Sequence, residues 1–486
     1  MVKDGVTRIP CPLRSAARRS PDALAIVGTG GTLTFGELDQ QVSVAAERFR
    51  ELSFGTGDRV ALHLPKDERY FVLLLALIQA GCVACLLSTR LPVRGAAPLP
   101  QRTACRALIS TSERLLELAG IKALRPENLL GDGPEQKHLQ SSGGLWLARD
   151  QASTIVFTSG SAGVPKAALH TFGNHYYSAE GSNANISLGP RDRWLHSLPL
   201  YHVGGLSILF RCLLARATVV LPEPDVPLGE VIAGDDATHV SLVSTQLLRL
   251  LREEGFEGHG LKTILLGGGP MPASLVDEAV NRGFPIHTSY GLTEMASQVT
   301  TTPPGATQKE LHASGRPLPH REVGISGEGE ILVRGETLFA GYVADGAVDR
   351  PLDADGWFHT GDLGDLDEKG YLHVRGRRDN LFVSGGENIQ PEEIEEVLSG
   401  LEGVEEAVVV PVPDPEFEAR PVAFVRTEGG VVEPEKLVRA LEKLLPRFKF
   451  PVSLYPWPDE ASPGGMKVDR IFLRERASRL QRRGQG

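Results

Sequence analysis

Six nearly unbroken apolar runs recur along the first 300 residues: RVALHL (59–64), STIVFTS (153–159), ATVVLP (217–222), HVSLVS (239–244), KTILLGG (262–268) and FPIHTSYG (284–291). Helical patterns lie between them. A strand that is apolar on both faces must be covered on both faces, so this alternation predicts mostly parallel sheets flanked by helices. At 486 residues the chain exceeds one ordinary core, and two or three domains are expected. Between about 315 and 375 the texture changes. GEILVRG (329–335) and GYLHVRG (370–376) are joined by Gly, Asp and Pro turns, which predicts a small antiparallel, barrel-like unit. From about 380, EEIEEVLSGLEGVEEAVVVPVPDP reads as helix, turn and strand, and a second such pattern ends at PVSLYPWPDE. A separate small α+β domain of about a hundred residues is expected there. The fold class is therefore α/β.

Charge narrows the partners. Lys plus Arg is 51 against Asp plus Glu at 61, a formal net charge of −10. Nucleic acid is excluded as the main partner, because neutralising phosphates needs a cationic excess. The basic tail RERASRLQRR reads as a solvated, partly disordered end. YFVLLLALIQAGCVACLL (70–87) is broken at Gly81, whereas a membrane span needs about 20 apolar residues. It is expected to be a helix opened by Asp67, Glu68 and Arg69, capped at Gly81 and followed by a short buried strand. No apolar h-region follows Met1, so secretion is not expected. Of five cysteines, Cys82 and Cys85 form a lone CxxC inside the apolar run. Nothing pairs with it at zinc spacing, so buried structural thiols in a reducing cytosol are expected.

TSGSAGVPK (158–166) resembles a phosphate-binding loop without being a Walker A sequence. That motif needs GxxxxGK followed by Ser or Thr. Here Gly160 and Gly163 are too close, Pro165 precedes Lys166 and Ala167 follows it. What remains is a hydroxyl-rich loop in which Thr158, Ser159 and Ser161 can donate to phosphate and the two glycines allow close approach. Taken alone, the segment fits phosphate binding and a plain strand-to-helix turn equally.

Three further segments carry chemistry. SYGLTEMAS (289–297) sets Tyr290, Thr293 and Glu294 directly after an expected strand, at the end where open α/β sheets hold ligands. An aromatic there can stack on a base, a hydroxyl can meet phosphate and a carboxylate can hold magnesium. The long stretch from 356 to 396 offers Asp362 and Arg377 as partners for ribose hydroxyls and runs through Asp379. ASPGGMKVDR (461–470) places Lys467 in a glycine-flanked loop.

Together, and in this order, these motifs resemble the adenylate-forming superfamily of acyl- and aryl-CoA synthetases, peptide-synthetase adenylation domains and luciferases. The resemblance covers essentially the whole chain. It implies a nucleotide- and acyl-binding domain over 1–378 and a mobile domain over 379–486 that turns about Asp379. It further implies that Thr158, Ser159, Gly160, Ser161, Gly163 and Lys166 grip the ATP β- and γ-phosphates. LLGGGP (265–270) and SYGLTE would line the adenine and acyl pocket, which brings in Gly267, Gly268, Gly269, Tyr290 and Gly291. Asp362 and Arg377 would clamp the ribose, Glu294 would hold Mg2+ with Thr293 beside it, and Lys467 would be the mobile catalytic lysine. Ser384, Gly385, Gly386 and Glu387 would form the tunnel for the pantetheine arm of coenzyme A.

A narrower resemblance follows from AALHTFGNHYYSAEGSN, LPLYHVGGLSILFRCLLA and LFVSGGENIQPEEIEEVL, which are similar to the ortho-succinylbenzoyl-CoA synthetase family of menaquinone and phylloquinone synthesis. In that family the histidine of the PLYHVGG segment, His202 here, borders the aromatic acyl pocket. The implied reaction is attack of a carboxylate on the ATP α-phosphorus, giving an acyl-adenylate that then passes to coenzyme A. Small-molecule substrates, a cytoplasmic location, no membrane span and a homodimer as one candidate assembly are the expected setting. The sequence departs from the pattern at Ala162, at Ala167 and at Met466, with Gly464 and Gly465 one place early. A broader aryl- or acyl-CoA ligase, an adenylation domain serving a carrier protein, and a nucleotide-binding protein with impaired catalysis remain the alternatives.

Overall fold

The computed structural model describes residues 2–484 except 4, 29, 131–145, 159–164, 224, 259, 345, 428–433 and 462–467. Two large sheets carry the apolar runs. In the first, eight strands lie in the order 347–349, 341–344, 166–171, 152–158, 83–86, 59–63, 107–110 and 122–124. The strands from 152–158 to 122–124 are parallel, and those at the other end are antiparallel. The second has nine strands, in the order 316–317, 297–301, 286–292, 263–266, 239–242, 193–195, 218–220, 24–28 and 31–34. From 286–292 to 24–28 its strands are parallel. Each of the six apolar runs supplies one strand. Val60, Ala61 and Leu62 are buried in succession, as a strand covered on both faces requires.

The apolar segment after residue 66 is the helix Glu68–Ala80. The Asp67 carboxylate accepts the N–H groups of Arg69 and Tyr70, and Gly81 ends the helix at φ +85°. That left-handed cap costs little only for glycine. The strand Val83–Leu86 follows immediately. Among the described residues, no helix is long and apolar enough to cross a membrane. Cys82 and Cys85 are buried free thiols, and burial pushes the Cys82 thiol up to about 12.

The expected small unit is an antiparallel sheet of the strands 321–325, 330–335, 358–366 and 372–377. One apolar cluster joins it to both large sheets. Ala168 comes from the first, Tyr290, Met295 and Val299 from the second, and Ile331, Val333 and Leu372 from the small one. Beyond it, the helix Pro391–Ser399 starts with proline at its first turn, where the missing N–H costs nothing. A sheet of 404–414, 418–427 and 454–456 follows, packed by its own buried clusters. The basic tail corrects one expectation. It is the helix Arg470–Gly484, with Leu473 and Ala477 buried against Val408, Val410 and Phe424. Two apolar residues four apart make a buried stripe that the surrounding arginines conceal in the sequence.

Candidate active site

The strand Ala152–Thr158 pairs antiparallel with Lys166–Thr171, and Thr158 lies opposite Lys166. Lys166 therefore opens a strand, and neither a Walker A loop nor a strand-to-helix turn has that form. Ser159, Gly160, Ser161, Ala162 and Gly163 come between these two strands in the sequence and lie outside the described residues. Side chains alternate along a strand, so Lys166, Ala168 and His170 share one face. Ala168 packs against Tyr290 and Met295, which turns that face toward the turn Thr293–Met295 bearing Glu294. His170 Nε2 lies 2.7 Å from the Thr293 carbonyl. A carbonyl only accepts, so Nε2 carries the proton. Burial pushes His170 down to about 4, which keeps the ring neutral in that role.

Glu294 has a partner that the sequence did not signal. Tyr342 Oη donates to Glu294 Oε1 at 2.5 Å, while the Lys166 ammonium lies 5.0 Å from the centre of the Tyr342 ring. A single carboxylate suits Mg2+, which keeps several waters and takes further ligands from phosphate oxygens. Among the described residues, no cluster of three His, Cys, Asp or Glu side chains offers a cage made by protein alone.

On the second sheet, the strands Thr263–Leu266 and Ile286–Leu292 run parallel, with Leu266 opposite Thr288. Gly267 follows the first strand at the point where a Cβ would lie 2.7 Å from Ser289 Oγ. Gly268 turns the chain at φ +88°, and Gly269 is exposed with open space around it. Gly291 sits at a bulge against the strand Ser297–Thr301, and a Cβ there would come within 2.3 Å of the Ser297 carbonyl oxygen. Tyr290, one residue earlier, points its hydroxyl across to the small sheet and donates to Asp362 Oδ2 at 2.6 Å. Asp362 and Arg377 are cross-strand neighbours. Arg377 donates to Asp362 Oδ1 at 2.9 Å and to the Thr360 carbonyl at 2.8 Å. Burial, followed by the Asp362 charge, pushes the Tyr290 phenol well up, so it stays a donor. The expected base-stacking residue and both expected ribose partners thus meet in one constellation, 72 and 87 residues apart in the chain.

Between these sheets, His202 precedes the helix Val203–Ala215 and packs edge-on to Tyr201 at 4.8 Å. The same helix meets the strand after Glu294. Ser207 Oγ lies 3.2 Å from Ser297 Oγ, and Arg211 Nη2 donates to Gln298 Oε1 at 2.7 Å and to Ser297 Oγ at 3.2 Å. Arg211 is 1% exposed, its Nε finds no partner, and no carboxylate pairs with it among the described residues. Its guanidinium stands 5.2 Å from the Trp194 ring, and burial pushes it down to about 10. A lone arginine inside the apolar LSILFRCLLA was the signal that could have found it.

The family profile of AMP-binding enzymes matches residues 13–343, and that of the AMP-binding enzyme C-terminal domain matches 393–460. The chain belongs to the AMP-binding enzyme family. It is 33% identical over 469 residues to the 2-succinylbenzoate–CoA ligase of Listeria monocytogenes, covering 96% of this chain and 99% of that one. Among solved structures, the o-succinylbenzoate-CoA synthetase of Bacillus subtilis in complex with its acyl-adenylate intermediate superimposes with a TM-score of 0.87 at 31% identity, covering 96% of this chain and 98% of the other. The same Bacillus enzyme in complex with ATP and magnesium ion gives 0.85 at 31% identity, with 96% and 100% covered.

The remaining candidates of this AMP-binding enzyme lie around the joint with the C-terminal unit. Asp379 is exposed in the turn Arg378–Asn380, 3.5 Å from Arg377 Nη2. Arg378 reaches back to the buried Glu330 at 2.8 Å. Gly376, at φ +145°, allows Gln390 and Glu392 to press on the strand, since a Cβ there would meet Gln390 Nε2 at 2.4 Å. Ser384 and Glu387 face each other across a two-residue hairpin whose Gly385 and Gly386 both have positive φ, +59° and +83°. That is the geometry of a type I′ turn. Among the described residues, no hydrogen bond or ion pair joins 384–387 to Tyr290, Asp362 or Glu294. Lys467 and Met466 lie outside the described residues. Arg470, three places on, grips the buried Glu395 of the helix Pro391–Ser399 with both terminal nitrogens at 2.7 Å.

Proposed function

We infer that this AMP-binding enzyme ligates 2-succinylbenzoate to coenzyme A through an acyl-adenylate, consuming ATP and releasing pyrophosphate and AMP. The named relatives and their ligands support the reaction class. The observation that carries the acyl half is Arg211. A buried guanidinium without a counter-ion is costly, and it fits a substrate that brings a second carboxylate besides the one to be activated. A simple monocarboxylic acid would leave that charge unanswered.

Two anions must meet for the first step. In our reading Lys166 and the hydroxyls from Thr158 onward hold the β- and γ-phosphates, while Tyr290, Asp362 and Arg377 hold the adenosine. Lys467 bridges the carboxylate and the α-phosphate. Magnesium on Glu294 and on phosphate oxygens supplies the remaining charge screening for the departing pyrophosphate. Gly267 and Gly291 let the acyl group lie close to the backbone, with His202 at the mouth of the helix. The proposed division is 1–378 and 379–486. The separate buried clusters of the C-terminal unit support it, and rotation about Asp379 would exchange Lys467 for the Ser384–Glu387 turn. Unpaired thiols suit a cytoplasmic enzyme of menaquinone or phylloquinone synthesis.

The test is a panel of carboxylic acids with ATP and coenzyme A, read as AMP release. Release should require 2-succinylbenzoate. Equal release with benzoate or a fatty acid would overturn the substrate and leave the reaction class.

A further inference from the structure

Tyr342 occupies the place where the three sheets meet. Its strand, Gly341–Ala344, extends the first sheet beyond Lys166–Thr171, and Tyr342 lies opposite Ala168. Gly341, at φ +142°, passes so close to the neighbouring strand that a Cβ would meet the Asp349 carbonyl oxygen at 2.3 Å. Register and close packing therefore fix where Tyr342 stands. Phe339, three residues earlier, packs edge-on to the Tyr342 ring at 4.8 Å, and its N–H donates to the Glu294 carbonyl at 2.8 Å. The segment 339–342 thus holds Glu294 twice, by its backbone through Phe339 and by its side chain through Tyr342 Oη. The same ring lies 5.0 Å from the Lys166 ammonium.

We propose that Tyr342 is a positioning residue that sets the Glu294 carboxylate and the Lys166 ammonium relative to one another for Mg2+ and the ATP phosphates. This rests on the reading of Glu294 as the metal ligand. A glutamate has three freely rotating bonds and a lysine four. Groups that must act together on one triphosphate gain when a rigid element holds them both. The phenol serves each by a separate feature, its hydroxyl for Glu294 and its π face for Lys166. A carboxylate oxygen accepts, so the Tyr342 hydroxyl is the donor in that contact. A tyrosine serving only to fill space would have no need to present both features.

The two features can be removed one at a time. Tyr342→Phe deletes the hydroxyl and keeps the ring, and Tyr342→Leu deletes both. Mn2+ binding is followed by electron paramagnetic resonance on the full chain with the β,γ-imido analogue of ATP. Affinity for the analogue is measured separately in EDTA, and Glu294→Gln serves as the reference. Tyr342→Phe should weaken Mn2+ about tenfold, the expected loss of a hydrogen bond to a charged group, and leave metal-free analogue binding unchanged. Tyr342→Leu should in addition weaken the analogue roughly threefold, as loss of a cation–π contact does. Thermal unfolding of both variants checks that they are folded. Wild-type Mn2+ affinity in Tyr342→Phe beside a weakened Glu294→Gln overturns the role of Tyr342 alone. Wild-type Mn2+ affinity in Glu294→Gln overturns the metal reading and this role with it. Equal loss of metal-free analogue binding in both Tyr342 variants also overturns it, since that is general disruption.

Discussion

Tyr290 Oη donates to Asp362 Oδ2 at 2.6 Å, a bond that crosses from the second large sheet to the small antiparallel one. Arg377 holds the other oxygen of the same carboxylate at 2.9 Å. Through the Asp362 carboxylate, an aromatic from one sheet and a cation from another are thus oriented together. Asp362→Asn keeps the shape and removes the charge. Its kcat/KM for ATP should fall on the order of 10²–10³-fold, as for loss of a preorganised polar group. ATP-dependent pyrophosphate exchange measures this, and an unchanged KM for ATP would contradict the ribose clamp.

Arg211→Met keeps an unbranched apolar stem and removes the buried charge. The KM for 2-succinylbenzoate should rise on the order of 10²-fold, the cost of losing one partner of a desolvated charge pair. The KM for ATP should stay as it was. Thermal stability should hold or rise, because an apolar side chain in place of a buried unpaired charge is often neutral or stabilising. A sharp drop in melting temperature with no change for the acid would show that the arginine only supports the helix.

Gly291→Ala would set a Cβ against the Ser297 backbone, 2.3 Å from O and 2.9 Å from C. Backbone cannot step aside as a flexible side chain can. Overpacking of this kind costs about 1–3 kcal/mol, visible as a lower melting temperature, and adenylate formation should fall with it. Wild-type behaviour in both measurements would mean that the bulge opens freely.

Burial, first among the causes, holds His170 down at about 4 and His196 down at about 3. In the unfolded chain both titrate near about 6.5. Below that pH the unfolded state takes up protons that the folded state refuses, so stability is full above about 6.5 and is lost progressively toward the folded values. Each such group contributes a slope of about 1.4 kcal/mol per pH unit across that window. His170→Gln keeps an N–H for the Thr293 carbonyl and removes the titration. Denaturant unfolding across the window should show its pH slope reduced by about one proton; an unaltered slope would rule out His170 as the source.

Lys467→Ala should abolish pyrophosphate exchange, a loss on the order of 10²–10³ or more for a positioned charge, and leave ATP binding by calorimetry intact. Exchange at the wild-type rate would remove the lysine from the reaction.

Much of this was legible in the chain itself. Continuous apolar runs bounded by turns can only be covered on two sides, so the parallel sheets and their helices follow from local pattern. Asp67 before the helix and Gly81 after it marked both ends, the SYGLTE motif was expected directly after a strand, where ligands bind, and Asp362 and Arg377 stood out as partners for ribose hydroxyls. Other features depend on which distant segments the sheets bring together. The sequence did not indicate that Lys166 would open an antiparallel strand, because the pairing partner of a strand is not written in the strand. Nor did it single out Tyr342, an aromatic in an ordinary turn-rich stretch, until the register opposite Ala168 put its hydroxyl on Glu294 and its ring beside Lys166. Arg211 is visible as a charge among apolar neighbours. Only packing shows that no carboxylate meets it among the described residues, since burial and counter-charge are properties of the surroundings. Residue types and spacing determined the class of chemistry; the tertiary structure decided which groups share a charge, because Coulomb and hydrogen-bond energies depend on distances that only folding sets.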